Sequence, residues 1–165
     1  MSAKRINSSM QLTRAADYAL RVMIHLAAQP ERERALLPQL AEITAAPESF
    51  LSKVLQALTR ARMVGSRRGK SGGFVLMPRG RQATVREVIE AIDGPVRLNI
   101  CLTNGRSCVR KGFCPAHPVW ERAQQAMMDV LDAARIADLA AQASPAQAER
   151  FAPAVFFPAG DQSAK

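Results

Sequence analysis

The stretch that decides the fold is LPQLAEITAAPESFLSKVLQALTRARMVGSRRGKSGGFVLMP, residues 37–78. It predicts a short helix over residues 38 to about 43 and a second helix from Pro47, because proline suits the first turn of a helix. The second helix has one apolar stripe, formed by Phe50, Leu51, Val54, Leu55 and Leu58. Two short helices joined by so tight a connection are typical of a helix-turn-helix.

A β-hairpin is predicted directly after these helices. Met63 and Val64 open one strand, FVLM (residues 74–77) forms the other, and the loop between them contains only Arg, Lys, Gly and Ser. A helix-turn-helix followed by a hairpin with a basic tip predicts a winged helix. We therefore expect a mainly α protein with one small β-hairpin.

Four further helices are predicted around this unit. Thr13 can cap a helix that runs to about residue 28, and another covers residues 85 to about 92 and ends at Gly94. A long helix over about 118–134 has a coiled-coil-like seam, which favours a homodimer, and a short helix over about 136–141 closes the fold. The seam residues are Trp120, Ala123, Met127, Val130 and Ala134.

These elements divide the chain into five parts. We predict a disordered N-terminal extension (1–9), a winged helix-turn-helix DNA-binding domain (10–95) and a cysteine-bearing loop (96–117). Dimerisation helices (118–142) and a mostly disordered tail (143–165) follow. The chain has no apolar run of membrane-spanning length and its first residues lack the apolar core of a signal peptide, so we expect a cytoplasmic protein without a membrane partner.

The charge of the chain points to a polyanionic partner. The net charge is +9, and the window 49–86 contains no acidic residue. Such a one-signed block repels itself unless a polyanion neutralises it, which favours double-stranded DNA. Enzyme signatures of the phosphate-loop, HExxH and GxSxG types are missing from the sequence, so we do not expect an enzyme.

Two sets of residues are predicted to contact DNA. The first lies at the exposed start of the second helix, where a helix-turn-helix meets base edges in the major groove: Ser49, Phe50, Ser52, Lys53 and Gln56. The second is the hairpin tip, which can follow phosphates or enter a minor groove: Arg67, Arg68, Gly69, Lys70, Gly72 and Gly73. A dimer would place two such units on a roughly palindromic operator.

All three cysteines lie in CLTNGRSCVRKGFCPAH, residues 101–117. Cys101, Cys108 and Cys114 are widely spaced, and His117 follows the last of them by three positions. In a reducing compartment, clustered thiols more often bind metal or sense redox change than form a structural disulfide. Spacing alone leaves zinc and an iron–sulfur cluster equally open.

Several motifs in order resemble the Rrf2 family of bacterial transcription regulators. They are MQLTRAADYALRVMIHLA (10–27), the helix and hairpin with an RGxxGG signature at 68–73, TVREVIEAIDG (84–94), the three cysteines, and RIADLA (135–140). The resemblance implies a homodimeric winged-helix repressor or activator, and we favour a repressor for this chain. Its iron–sulfur-binding branch includes a nitric-oxide-sensitive repressor and the regulator of iron–sulfur cluster assembly.

The resemblance further implies that Cys101, Cys108 and Cys114 hold an iron–sulfur cluster whose state switches DNA binding. The fourth ligand has two candidates. Asp17 matches the aspartate of the nitric-oxide group, which reaches a four-iron cluster from the partner subunit and is preferred here. His117 matches the histidine of the assembly regulators, which goes with a two-iron cluster. A zinc- or thiol-based switch on the same fold is the alternative.

One departure from the family concerns Arg62, where its members usually have glycine after the recognition helix. Because an arginine disfavours a left-handed helix cap, this turn is expected to differ.

Overall fold

The structure is a computed structural model that describes residues 12–67, 69, 72–103 and 108–143 of the chain. The predictions for 1–9 and for nearly all of 143–165, and those for Arg68 and Lys70, lie outside these residues. The elements of the described residues follow in this order: α1 (Arg14–Ala28), α2 (Leu37–Thr44), α3 (Glu48–Arg60), β1 (Val64–Arg67), β2 (Gly73–Leu76), α4 (Pro78–Gln82), α5 (Val85–Asp93), a 3-10 turn (Ile100–Leu102), α6 (His117–Ala133) and α7 (Ile136–Gln142). The predicted helices are confirmed with ends shifted by a residue or two, and α4 is an addition.

Helix α1 starts where the sequence predicts, at a capping threonine. The Thr13 hydroxyl oxygen accepts a hydrogen bond from the Ala16 amide at 3.2 Å, and the hydroxyl donates to the Asp93 carboxylate at 2.7 Å. Helix α5 starts at a capping box, in which Thr84 and Glu87 satisfy each other's backbone amides. The Thr13–Asp93 bond joins the start of α1 to the end of α5.

The core forms around α1, which contacts α2, α3, α4, α5, β2 and α7. Its fully buried members include Met23 of α1, Leu51 and Leu55 of α3, Val88 of α5 and Ile136 of α7. Helix α7 thus belongs to the core of its own protomer. This position agrees with the prediction that the last helix closes the fold, while the assignment of 118–142 to dimerisation stays a prediction.

The chain leaves this core after α5 and returns to it beside the start of α5. The Val85 amide donates to the Ala134 carbonyl at 2.9 Å, and the Ile136 amide donates to the Ala83 carbonyl at 3.0 Å. These bonds form an isolated bridge between Thr84 and Arg135. None of the helices in the described ranges is long and apolar enough to cross a membrane.

The hairpin is confirmed as an antiparallel pair in which Val64 faces Leu76 and Arg67 faces Gly73. Ala35 adds a third short partner, because its amide and carbonyl exchange hydrogen bonds with Phe74 at 3.0 and 2.9 Å. A Cβ on Gly73 would lie 2.9 Å from the Ala35 carbonyl oxygen, and the φ of Gly73 is +126°. The fold therefore requires glycine at this position.

The turn after α3 is a left-handed cap at Arg62, although an arginine disfavours that conformation. Arg62 adopts the left-handed conformation at φ 58°. Its amide donates to the Thr59 carbonyl and the Met63 amide donates to the Leu58 carbonyl, each at 3.0 Å, which is the hydrogen-bond pattern of a Schellman motif. These bonds and the burial of Met63 offset the backbone cost of about 1 kcal/mol that a side chain carries in this region.

Replacing Arg62 with glycine is expected to raise the free energy of unfolding by about 0.5–1 kcal/mol, since glycine removes that backbone cost. Thermal unfolding checks this as a rise in Tm of several degrees. Arg60→Gly, two positions earlier in the regular helix, is the matched control and should lower stability by about 1 kcal/mol. A lower Tm for both variants would contradict the prediction.

His25 gives the fold a dependence on pH. Burial lowers the pKa of His25 from its usual value, and the Glu33 carboxylate offsets part of this. Because the unfolded chain binds this proton more readily, His25 stabilises the fold above about pH 6.5 and this contribution is lost as the pH falls. Urea unfolding at pH 7.5 and 5.5 should show a smaller pH effect for His25→Gln than for the parent. An equal pH effect in the two proteins would rule out this role.

Candidate DNA-binding surface and cysteine segment

Helix α3 buries one side and leaves the predicted DNA-contacting side at the surface. Leu51, Val54, Leu55 and Leu58 are buried, which turns the opposite face outwards. Ser49, Lys53 and Gln56 are exposed on that face, and Ser52 is half-buried at its edge. The predicted groups of the recognition helix are therefore available together on one surface.

Phe50 lies between these two sides. It is 39% exposed, and its ring packs edge-to-face on that of Tyr18, with centroids 5.8 Å apart and planes at 80°. Such aromatic pairs contribute about 0.5–1.5 kcal/mol beyond area burial. Phe50 thus fixes the first turn of α3 against α1 and still presents part of its ring to solvent.

Of the four predicted DNA-contacting residues of the hairpin that the structure describes, two are exposed. Arg67 and Gly69 are exposed, and Gly69 has φ +103° in the tip turn that the Gly72 amide closes by donating to the Gly69 carbonyl at 2.8 Å. Gly72 is buried and Gly73 lies against Ala35. Both of these glycines have a reason for being there that is internal to the fold, and neither requires DNA.

Two arginines of the acid-free window 49–86 bond to other parts of the protein. Arg81 donates to the Ala27 carbonyl at 3.1 Å. Arg86 pairs with Glu90 at 3.3 Å and with Asp132 at 2.9 Å, and these carboxylates raise the pKa of Arg86. Lys53, Arg60, Arg62, Arg67 and Arg79 are exposed, so the described part of the positive surface covers α3, its C-terminal turn, the first strand of the wing and α4.

The cysteine segment combines one buried thiol with two more accessible ones. Cys101 lies in the 3-10 turn and is 7% exposed, and the turn is capped by the Asn99 side chain, which accepts from the Ile100 amide at 2.7 Å. Cys108 and Cys114 are half-buried, and all three thiols are free. The Lys111 amide donates to the Cys108 carbonyl at 2.9 Å, which closes a turn between the second and third cysteines.

His117 begins α6 and is placed beside the last cysteine. Its amide donates to the Cys114 carbonyl at 3.0 Å, and its side chain is nearly buried, with Nε2 3.2 Å from Glu121 Oε1. Nδ1 is buried and has no hydrogen-bond partner in the described part of the chain. When Nε2–H donates to the carboxylate, Nδ1 carries a free lone pair, and a metal-bound histidine commonly has such a carboxylate on its other nitrogen.

Asp17, the other candidate ligand, already has a partner. Its carboxylate lies 2.8 Å from Arg21 Nη2 one turn along α1, and its side chain is 48% exposed. Among the residues that the structure describes in one protomer, no three His, Cys, Asp or Glu side chains are close enough together to hold a metal ion. The structure thus ties the His117 backbone to Cys114, and within the described residues of one protomer it gathers neither the His117 nor the Asp17 side chain with the thiols into a three-ligand cluster.

Helix α6 exposes an apolar stripe to solvent. Val119 and Val130 are 63% and 69% exposed, and Ala123 and Ala126 are exposed between them at helical spacing. Of the predicted seam, Ala123 and Val130 lie on this stripe, whereas Trp120, Met127 and Ala134 are half-buried along its edge. The α6 stripe (Val119, Ala123, Ala126 and Val130) therefore shares Ala123 and Val130 with the predicted seam but is rotated slightly around the helix, with Val119 and Ala126 in place of Trp120 and Met127.

A helix-turn-helix, a hairpin wing and a basic face define a DNA-binding protein of the winged-helix class. The profile of the Rrf2 family, described as iron-dependent transcriptional regulators, matches residues 12–142. This chain belongs to the Rrf2 family.

The relatives of the chain are transcription regulators. The HTH-type transcriptional regulator NsrR of Geobacillus kaustophilus is 31% identical over 131 residues, which are 79% of this chain and 89% of that protein. Among solved structures, CymR, the global cysteine regulator of B. subtilis, superposes with a TM-score of 0.66 at 25% identity over 82% of this chain and all of that one. IscR of T. potens gives a TM-score of 0.64 at 25% identity, covering 84% of this chain and 92% of that one.

Proposed function

We propose that the protein is a homodimeric, DNA-binding repressor whose occupancy of an operator depends on an iron–sulfur cluster held by Cys101, Cys108, Cys114 and His117. The observation that carries the cluster assignment is the buried, unpartnered Nδ1 of His117 beside Cys114. Membership of a family described as iron-dependent regulators supports the same assignment.

DNA binding is supported by the surface of α3 and the wing. Ser49 and Gln56 can hydrogen-bond base edges, and Lys53 can reach a guanine or a phosphate in the major groove. Arg67 leads into the wing tip, where cations would lie along the backbone or in a narrow minor groove. Phosphate contacts of this kind supply affinity, and the α3 side chains supply sequence preference.

Dimerisation is supported by the α6 stripe. Two exposed valines and two alanines on one helix face leave apolar surface that a second copy of α6 would bury. Since α7 is part of the protomer core, the interface would centre on α6. Two reading helices related by a twofold axis imply an operator with two half-sites.

The residues of the cysteine segment fit an iron–sulfur cluster. Thiolates and a neutral imidazole are ligands that such clusters accept, and exposed Arg110 and Lys111 offset thiolate charge. When bound, the cluster supplies redox- and nitric-oxide-sensitive chemistry, as the family resemblance implies. Glu121 holds the His117 ring through Nε2–H, and the backbone bond from His117 to Cys114 ties the loop to the start of α6.

The choice of His117 over Asp17 follows from their surroundings. Asp17 would have to give up its ion pair with Arg21 and reach the thiols of the partner subunit, whereas His117 already lies next to Cys114. By resemblance, the histidine position goes with a two-iron cluster, and Asp17 with a four-iron cluster remains the alternative. A zinc- or thiol-based switch is the second candidate, favoured by the three free thiols and by the similarity to the global cysteine regulator CymR.

Anaerobic purification separates these cofactors. A cluster gives visible sulfur-to-iron absorbance that bleaches with nitric oxide, together with iron and sulfide in the protein, whereas a zinc protein is colourless and a thiol switch contains neither metal. Affinity for one operator fragment is then measured for the loaded and metal-free forms. A difference supports the switch, and equal affinities would remove it.

The DNA contacts predict a strong dependence on salt. If a dimer neutralises six or more phosphates, affinity for an operator fragment should fall by about 10³-fold between 50 and 200 mM salt. Arg67→Ala should reduce the logarithmic salt slope by about one for each protomer. Arg122→Ala, an exposed arginine on α6, is the matched control and should leave the slope unchanged. Salt-insensitive binding would contradict the electrostatic contact.

A further inference from the structure

The stretch 96–98 links α5 to the turn that contains Cys101, and one side chain of α6 bonds to its backbone. The Gln124 amide Nε2 donates to the Val96 carbonyl at 2.9 Å, while Gln124 Oε1 accepts from the Leu98 amide at 2.8 Å. A neighbouring β-strand would satisfy the same two backbone groups. Gln124 is half-buried, which limits competition from water for both bonds.

The opposite side of the stretch is attached to α5. The Val96 amide donates to Glu90 Oε1 at 3.3 Å, and the same carboxylate oxygen accepts from Arg86 Nε at 3.3 Å. Arg86 also reaches Asp132 of α6 at 2.9 Å. The entry to the cysteine segment is therefore held between two helices, and Gln124 provides both of its direct bonds to α6.

We propose that Gln124 is a positioning residue that fixes Cys101 relative to α6. Leu98, whose amide bonds to Gln124, is three residues before Cys101. Asn99 caps the 3-10 turn that contains Cys101, so the backbone between the Leu98 amide and the thiol has little freedom to move. A displacement of Cys101 is thereby passed to the middle of α6, between Ala123 and Ala126 of the α6 stripe. The positioning does not need metal, but its use as a switch rests on the proposed function.

Alkylation of the metal-free, reduced protein tests the positioning directly, because Cys101 is 7% exposed while Cys108 and Cys114 are more accessible. The probe is iodoacetamide, and mass spectrometry follows each thiol separately. Gln124→Ala should make Cys101 react about thirtyfold faster, since two hydrogen bonds of about 1 kcal/mol each no longer oppose local opening. The rates of Cys108 and Cys114 should not change.

Gln125→Ala is the matched control. Gln125 is the next residue of α6, is exposed, and donates to Asp129 at 2.7 Å, and it makes no hydrogen bond to residues 96–103 or 108–117. All three thiols of this variant should react as in the parent. Gln124→Glu is the second variant, since it keeps the acceptor for the Leu98 amide and loses the donor to the Val96 carbonyl, and its Cys101 rate should be intermediate.

The outcomes separate this proposal from the proposed function. Equal Cys101 rates in the parent, Gln124→Ala and Gln124→Glu would overturn the positioning role, as would acceleration of all three thiols together with a lower Tm. After reconstitution, Gln124→Ala should bring the ratio of loaded to metal-free operator affinity several-fold closer to one. If the parent takes up no cluster, the proposed function fails while the alkylation result still decides the role of Gln124.

Discussion

His117→Ala, purified anaerobically, is expected to fold as the parent does and to contain no more than about a tenth of its iron. Loss of a residue that merely supports a metal ligand costs about 10–100-fold in affinity, and loss of a ligand costs at least as much. The fold should survive because the one polar contact of the buried ring among the described residues is that of Nε2 with Glu121 Oε1 at 3.2 Å. Iron and sulfide per protomer, with the visible spectrum, measure the effect, and circular dichroism verifies the helices.

Asp17→Ala is the matched control for this experiment. It removes an exposed ion pair within one helix, which is worth about 0.3–0.5 kcal/mol, and should leave the iron content unchanged. Glu121→Gln should retain iron but lose it faster to a chelator, because the amide holds the imidazole less firmly. The reverse pattern, in which Asp17→Ala loses iron and His117→Ala keeps it, would transfer the fourth position to α1 of the partner subunit.

Gly80→Ala is expected to be the most destabilising single substitution of a glycine among the described residues. Gly80 is buried in α4, and a Cβ there would overlap the Met63 carbonyl oxygen and lie 2.9 Å from Leu76 Cδ1 and 3.0 Å from Met23 Cε. Because the first obstacle is backbone, it cannot move aside without distorting the turn that leads from α3 into β1. We expect a loss of about 3 kcal/mol or more in the free energy of unfolding.

Urea unfolding of the metal-free protein measures this loss. Gly112→Ala is the control, since a Cβ at Gly112 has no neighbour within 4 Å and its φ is not in the left-handed region. Its unfolding midpoint should match that of the parent. A Gly80→Ala protein as stable as the Gly112→Ala protein would show that α4 does not pack against Met63 in solution.

The fold was predictable where local signals agree with tertiary packing. Thr13 caps α1, and the stripe of α3 is buried almost as its spacing predicts. Helix α4 was missed because its five residues, PRGRQ, have neither periodicity nor strong helix propensity, and it is stabilised by the contact between Gly80 and Met63. At Arg62 the propensity argument failed because two Schellman hydrogen bonds and the burial of Met63 outweigh one strained residue.

The residues of the candidate site could be predicted from the sequence, but their burial and their side-chain contacts could not. The sequence indicates that Cys114 and His117 lie near each other, yet the burial of His117 and its contact with Glu121 depend on how α6 packs. Gln124 escaped prediction because its partners, Val96 and Leu98, are 28 and 26 positions away and contribute only backbone atoms. No side-chain pattern signals a bond of this kind.

The bridge between Thr84 and Arg135 makes residues 94–134 an insertion into the DNA-reading fold and not an appendage at its end. The insertion begins at the C-terminal end of α5 and returns, through the bond from the Val85 amide to the Ala134 carbonyl, to the N-terminal end of the same helix. Because Ile136 lies in the core and follows the insertion along the chain, the core is complete only after the whole insertion has been synthesised.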